Sequence, residues 1–433
     1  MRNFNLLLGL TVTSLLLSSF SYDNKKTANT IFCSQENMQY FENNTSQIFF
    51  DRIYTSQSLI NAGILKPHQN DTLKSNKVKS DGTAENQYAL SNQYAKLQKV
   101  LEKYQIIEKN NQWKKIDIDP ANYKELKPTD SGAVVRQIRE RLFIVGDLKK
   151  DSKSEIYDEE LMAGVLNYKK RYGLALNYQL TLEHINQMNE PISNRIKTIK
   201  LNMERCREMP ANLTDATEYI IVNIPSYRLF YIKDGKSEFE SDVFVGAKWS
   251  ETEVLSSMVD KIVFSPYWNI PQSIIDNELK LKMYADKNYL EENNMEWNGG
   301  RVRQKPGPTN SLGLVKFMFP NQYDIYMHDT PAKSLFLLEK RTFSHGCVNI
   351  KDAKGLAQAI LKNDPDWTVE KIDTAMNGEK ETPYELKNKI PIYMSYFTAW
   401  VSYDTGEINF FDDIYDKDRN AVQLQNSNSV VMD

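Results

Sequence analysis

Reactive side chains are scarce in this chain. Its 433 residues hold three cysteines and four histidines. A positive excess is missing as well. Lys and Arg number 54 against 57 Asp and Glu, a net charge of −3, which leaves no basic footprint for nucleic acid. One apolar run, Phe4 to Leu17, stands out, and it falls short of the roughly twenty residues that a membrane span needs. Charged residues make up 26% of the chain, so the rest reads as soluble and globular, with room for two or three domains.

The apolar run has a meaning of its own. Arg2 before it and Ser18, Ser19 and Ser21 after it give residues 1–21 the layout of a secretory signal peptide, an uncleaved anchor being the alternative. Cys33 lies too far beyond the run for a lipoprotein cleavage site. Export places the chain in an oxidising compartment, where Cys33 and Cys206 could pair. Cys206 also continues the stripe Ile192, Ile196, Ile199, Met203 at helical spacing, and we read it as a buried, inert thiol.

Chemistry concentrates in one window. Two of the four histidines and one of the three cysteines fall between His328 and Cys347. Asp324-Ile-Tyr-Met-His328 alternates like a strand, with Tyr326 and His328 on one side and Ile325 and Met327 on the other. In Ser344-His345-Gly346-Cys347-Val348-Asn349, Gly346 permits a tight turn at the thiol. The pattern points to a cysteine nucleophile with an imidazole base. A free thiol titrates near about 8.5, so it needs such a partner to attack near neutral pH. Zinc fits poorly, because a second Cys pair and the usual ligand spacing are missing. The amides of Gly346 and Cys347 are candidates for an oxyanion hole. Asp329 reads as structural, pointing away from the histidine.

His328, fifteen intervening residues and Ser-His-Gly-Cys-Val-Asn together resemble the active-site signature of the L,D-transpeptidases of bacterial cell walls. Tyr219-Ile-Ile-Val-Asn-Ile-Pro225, Val263-Phe-Ser-Pro-Tyr-Trp-Asn-Ile-Pro271, Pro306-Gly-Pro-Thr-Asn-Ser-Leu-Gly313 and Lys316-Phe-Met-Phe-Pro320 resemble its large multidomain branch, over roughly residues 95 to 420. The resemblance implies that His328 is the base, oriented by a backbone carbonyl, and that His345 shapes the pocket. Ser344 and Asn349 hold the loop and border the substrate. Many members of the branch carry arginine where Asn349 stands. Tyr326 and Trp268 are candidates for lining a substrate groove, the alternative being core aromatics, and Arg301 and Arg303 for meeting anionic wall peptide, the alternative being solvated surface charges. The implied reaction joins peptidoglycan stem peptides, or a wall-anchored protein acceptor, in 3→3 linkage through a cysteine thioester. It uses no cofactor or metal, is open to carbapenem trapping, and takes place in the periplasm or cell wall. Two rivals are a hydrolase resolving the same thioester with water and a non-catalytic peptidoglycan-binding protein.

The fold class expected is α+β and multidomain. After the signal peptide, residues 22–125 form a partly helical N-terminal region, with 70–86 a loop or disordered stretch. Residues 126–190 form a helical bundle on the stripes Val134, Ile138, Leu142, then Leu161, Val165, Tyr168, Tyr172, then Leu182, Ile185, Met188. Asp130-Ser-Gly-Ala-Val-Val-Arg-Gln-Ile-Arg-Glu-Arg-Leu142, Tyr157-Asp158 and Lys170-Arg-Tyr-Gly-Leu174 are similar to peptidoglycan-binding domains, the alternative being a helical spacer. Residues 191–215 are a linker helix between Pro191 and Pro210. Residues 216–365 are the mostly β catalytic domain, with a polar, partly helical insertion at 272–303 that the resemblance makes a lid. Residues 366–433 are a C-terminal hairpin, 390–403 against 407–411, and a tail.

Overall fold

The structure, a computed structural model, describes residues 90–421 except 91, 211–212, 214–215 and 404. The signal segment, the 70–86 stretch, Cys33 and Asp404 of the C-terminal turn lie outside the described residues. Among the described residues no helix is long and apolar enough to cross a membrane.

The chain is mixed α and β, with helices over residues 92–207 and a β sheet after them. Helix α1 spans Asn92–Lys109. The bundle follows as α2 (Ala133–Val145), α3 (Glu159–Arg171) and α4 (Leu182–Met188), three helices as the stripes predict. Val135, Ile138 and Leu142 meet Leu161, Val165 and Tyr168 in its core, while Val134 is only partly buried, so the face of α2 is turned one position from the expected one. Asp158 caps α3 by accepting from the Leu161 amide at 3.0 Å, a bond of the kind worth about 1 kcal/mol. Gly146 ends α2 at φ +101°, a left-handed angle that suits glycine. Helix α5 (Ile192–Arg207) starts after Pro191 and stops before Pro210 as expected. Its stripe ends on Cys206, a free thiol that burial pushes up to about 12.

The sheet explains how the site is built. Its first strands are β1 (Glu218–Asn223), β2 (Arg228–Lys233), β3 (Lys236–Gly246) and β4 (Leu255–Phe264). Asp234 and Gly235, at φ +50° and +69°, turn β2 into β3 as the sequence predicts. Strand β5 is Trp268–Asn269. Strands β6 (Met295–Asn298) and β7 (Arg301–Gln304) form a hairpin, and β5 pairs with β7 in a small three-stranded sheet. The sequence makes 272–303 polar and partly helical, with Asn298-Gly299-Gly300 inside it. Gly299 and Gly300, at φ +56° and +81°, form a hairpin turn that the Asn-Gly-Gly run signals. The helical part, residues 270–292, is a compact unit with helical turns at Gln272–Ile274, Lys280–Ala285 and Tyr289–Glu292.

Strands β8 (Val315–Met318), β9 (Met327–His328), β10 (Thr342–Ser344) and β11 (Val348–Ile350) carry the motif. Helices α6 (Ala353–Leu361) and α7 (Val369–Met376) follow and pack on the sheet. Strand β12 (Thr382–Ser395) then enters the middle of the sheet, parallel to β1 and antiparallel to β4. This corrects the expected hairpin from residue 390. Only Ala399–Val401 (β13) pairs with Ile408–Phe410 (β14). The apolar alternation of β12 suited either pairing, and its real partners are far away in sequence. The order β3-β11-β9-β8-β4-β12-β1-β2 closes on itself, because β2 also pairs with β3.

Both faces of the sheet are covered near β1. Ile220 and Val222 point into the main core with Phe317, Met327, Val348 and Met394. Tyr219 and Ile221 point the other way, onto α1, α5 and the β13–β14 hairpin. A strand buried on both sides reads as an unbroken apolar run, as Tyr219–Val222 does. Each fully buried Ile or Val there contributes roughly 1.5–3 kcal/mol.

Candidate active site

Register places the reactive groups. Strands β9 and β11 run parallel, with Met327 opposite Val348 and His328 opposite Asn349. The Val348 amide donates to the Tyr326 carbonyl at 3.0 Å, which extends the alignment to Tyr326 and Cys347. Side chains alternate along each strand, so Tyr326, His328, Cys347 and Asn349 share one face. Ile325, Met327, Val348 and Ile350 occupy the opposite face, in the core. His328 and Asn349 are buried.

The thiol is partly exposed, yet burial pushes it up to about 11. Tyr326, the residue beside it across the β9–β11 register, opposes that rise by favouring a thiolate. The thiol also faces the Asp324 carbonyl at 3.8 Å. Burial and the neighbouring sulfur push the Tyr326 phenol far above its usual range, so it stays protonated. Tyr326 is thus beside the thiol, and Trp268 stands on β5.

His328 Nδ1 bonds to the Asp329 carbonyl. A carbonyl only accepts, so Nδ1 carries the proton and Nε2 keeps its lone pair. Burial pushes the ring down to about 4, against the Asp329 bond and charge and with Lys316 and Lys333. The resting pair is a neutral thiol and a neutral imidazole. Among the described residues no hydrogen bond joins the two; the Tyr326 ring lies beside the imidazole, 5.6 Å between centroids. Asp329 is structural: its carboxylate accepts from the Leu314 amide at 3.0 Å and pairs with Lys333 at 2.6 Å.

The loop is clasped from within. Ser344 Oγ donates to the Cys347 carbonyl at 2.5 Å and accepts from the Gly346 amide at 3.2 Å. Ser344 holds the loop as expected, and the Gly346 amide is engaged there too. Of the two oxyanion candidates, the Cys347 amide remains. Gly346 itself sits at φ +108°, where a side chain would be strained. His345 stands edge-on to Trp249 at 4.8 Å, and both line an open groove of about 410 Å³ with Glu253, Tyr323, Ile325 and Gly346. Trp249 escaped the sequence reading, although an exposed tryptophan three residues after Gly246 was a usable signal. The two arginines differ from each other. Arg303 pairs with Glu296 at 2.6 Å and covers the Tyr267 ring at 3.9 Å, so its charge is already committed. Arg301 is exposed at the start of β7.

The strand-borne histidine and the thiol loop lie inside a recognisable segment. Residues 217–370 match the YkuD L,D-transpeptidase catalytic domain. A Haemophilus influenzae protein named "Putative L,D-transpeptidase" is 35% identical over 248 residues, covering 52% of this chain and 49% of that protein. The chain thus spans about half the length of the curated relative it matches. Among solved structures, the L,D-transpeptidase from Mycobacterium smegmatis is 13% identical over 42% of this chain and 59% of its own, with a TM-score of 0.24. That from Stackebrandtia nassauensis is 14% identical over 54% of this chain and 91% of its own, also with a TM-score of 0.24. The YkuD domain runs from the start of β1 to the start of α7, so β12 lies beyond the matched segment.

Proposed function

We propose that the chain is a cysteine-dependent peptidoglycan L,D-transpeptidase that forms 3→3 cross-links. The observation that carries this reading is the shared face of Tyr326, His328 and Cys347, with the imidazole held in the base tautomer by the Asp329 carbonyl. Cys347 Sγ attacks the carbonyl of the L-centre at position three of a tetrapeptide stem. The S–C bond forms, the amide to the terminal D-alanine breaks, and the thiol proton passes through His328 to the leaving amine. An amine of a second stem, or of a wall-anchored protein, then attacks the thioester. The S–C bond breaks, a new amide forms, and the amine's proton returns to the sulfur.

The neutral resting pair fits this sequence. A thiol high on its scale and a histidine low on its scale exchange the proton during attack rather than before it. No cofactor or metal enters a step. The bundle at residues 126–190 would hold glycan or stem near the site, and the signal-like residues 1–21 support work outside the cytoplasm, in the periplasm or wall. The test is intact-protein mass spectrometry of residues 22–433 with a carbapenem, beside Cys347→Ala. One drug-sized adduct on the wild type, absent from the variant, is expected. A folded wild type that takes no adduct would remove the acyl-transfer reading.

A further inference from the structure

Beneath the thiol loop lies a buried hydroxyl with two backbone partners. Thr252 is fully buried. Its Oγ1 accepts from the Gly246 amide at 2.9 Å and donates to the Gly346 carbonyl at 2.7 Å. Its own amide donates to the Tyr415 hydroxyl at 3.2 Å, and that hydroxyl donates to the Gly246 carbonyl at 2.7 Å. Gly246 makes the approach possible, since a Cβ there would sit 2.1 Å from the Ser250 carbonyl oxygen and 2.7 Å from the Thr252 nitrogen.

We infer that Thr252 is a positioning residue for acyl transfer, which aims the Cys347 N–H at the oxyanion by holding the Gly346 carbonyl. This inference rests on the acyl-transfer reading above. The step follows from the peptide plane. In a trans peptide the C=O of Gly346 and the N–H of Cys347 point in opposite directions. Fixing the carbonyl inward on Thr252 fixes the amide outward. The Gly346 amide and the Cys347 carbonyl are both held on Ser344. The Thr252 bond therefore sets the rotation of the one peptide unit whose N–H belongs to the nucleophile. A donor aimed before the charge develops stabilises it without reorganisation.

Alkylation and acylation separate this role from mere support of the loop. Iodoacetamide attack needs a competent thiol and builds no oxyanion, whereas opening a carbapenem ring builds one. The isosteric Thr252→Val variant is expected to slow carbapenem acylation roughly ten- to a hundredfold, with the alkylation pH profile and rate within about twofold of wild type. Thr252→Ser, which keeps the hydroxyl, is expected to restore acylation. Parallel losses in both rates would make Thr252 a prop for the thiol alone and overturn the inference, as would no loss in either. If Thr252→Val does not fold, Tyr415→Phe carries the test, with the same split expected at smaller size and equal rates overturning it. A wild type that alkylates but never acylates would sink the enzymatic reading together with this one. A wild type that acylates at the rate of Thr252→Val would sink this one alone.

Discussion

The thiol loop and the helical bundle were both marked by short polar motifs, and those residues meet opposite fates. In the loop, Thr252 holds the Gly346 carbonyl and Ser344 the Cys347 carbonyl, beside a sulfur that remains partly exposed. In the bundle the motif residues close on one another. Arg139 is fully buried and pairs with Asp158 and Glu160, each at 2.7 Å. Arg171 and Asp147 form a buried pair at 2.6 Å, and the Tyr157 hydroxyl donates to the Tyr178 carbonyl at 2.6 Å. Lys169, pushed down to about 8 by burial, donates to Asn177. The bundle motif describes how three helices stay together. The loop motif describes a centre left open for chemistry.

The contrast can be broken most sharply at the base. His328→Ala should slow carbapenem acylation by roughly 10²- to 10⁴-fold, followed as adduct growth by mass spectrometry. An unchanged rate would make the imidazole as architectural as the bundle arginines. Next, Arg171→Ala leaves Asp147 buried without its partner. We expect a loss of roughly 3–5 kcal/mol in urea unfolding, with acylation per folded molecule unchanged. A loss too small to measure would remove the bundle's side of the comparison.

Acid should weaken both regions together. His328 and His184 are each held near 4 by burial, against an ordinary value of 6.5. The unfolded chain takes up protons in that window which the native chain refuses. The contribution is therefore complete above about pH 6.5 and is lost as pH falls towards 4, by at most roughly 3 kcal/mol per histidine. Urea midpoints between pH 7.5 and 4 should fall accordingly, and His184→Gln should remove only the bundle's share. A flat profile would contradict both depressed values. The smallest effect is expected from Tyr326→Phe. Losing the phenol that favours the thiolate should raise the apparent thiol pKa in iodoacetamide alkylation by roughly one unit. An unshifted profile would deny the hydroxyl that role.

What could be read from the sequence was whatever lay close along the chain. His328 and Cys347 sit within one window, strand alternation put Tyr326 beside His328, and helical stripes located α2 to α5. Thr252 escaped because its partners Gly346 and Tyr415 are 94 and 163 residues away. The fate of Arg303 escaped for a similar reason. Arg303, three residues past Gly300, looks solvated until the hairpin brings Glu296 across from it. Strand β12 was misplaced because periodicity gives a strand's faces and not its neighbours.

That strand has a consequence for the order of events in the life of the chain. Ile220 of β1 pairs with Ile392 of β12, so an early strand waits for a late one. During synthesis Cys347 leaves the ribosome before residues 382–395 and Tyr415 exist. The closed sheet and the support beneath the thiol loop can then form only after residues 382–395 and Tyr415 have been made, a delay built into pairing that is distant in sequence. The nucleophile is made before the parts that support it, so a chain interrupted ahead of β12 carries a cysteine without its scaffold.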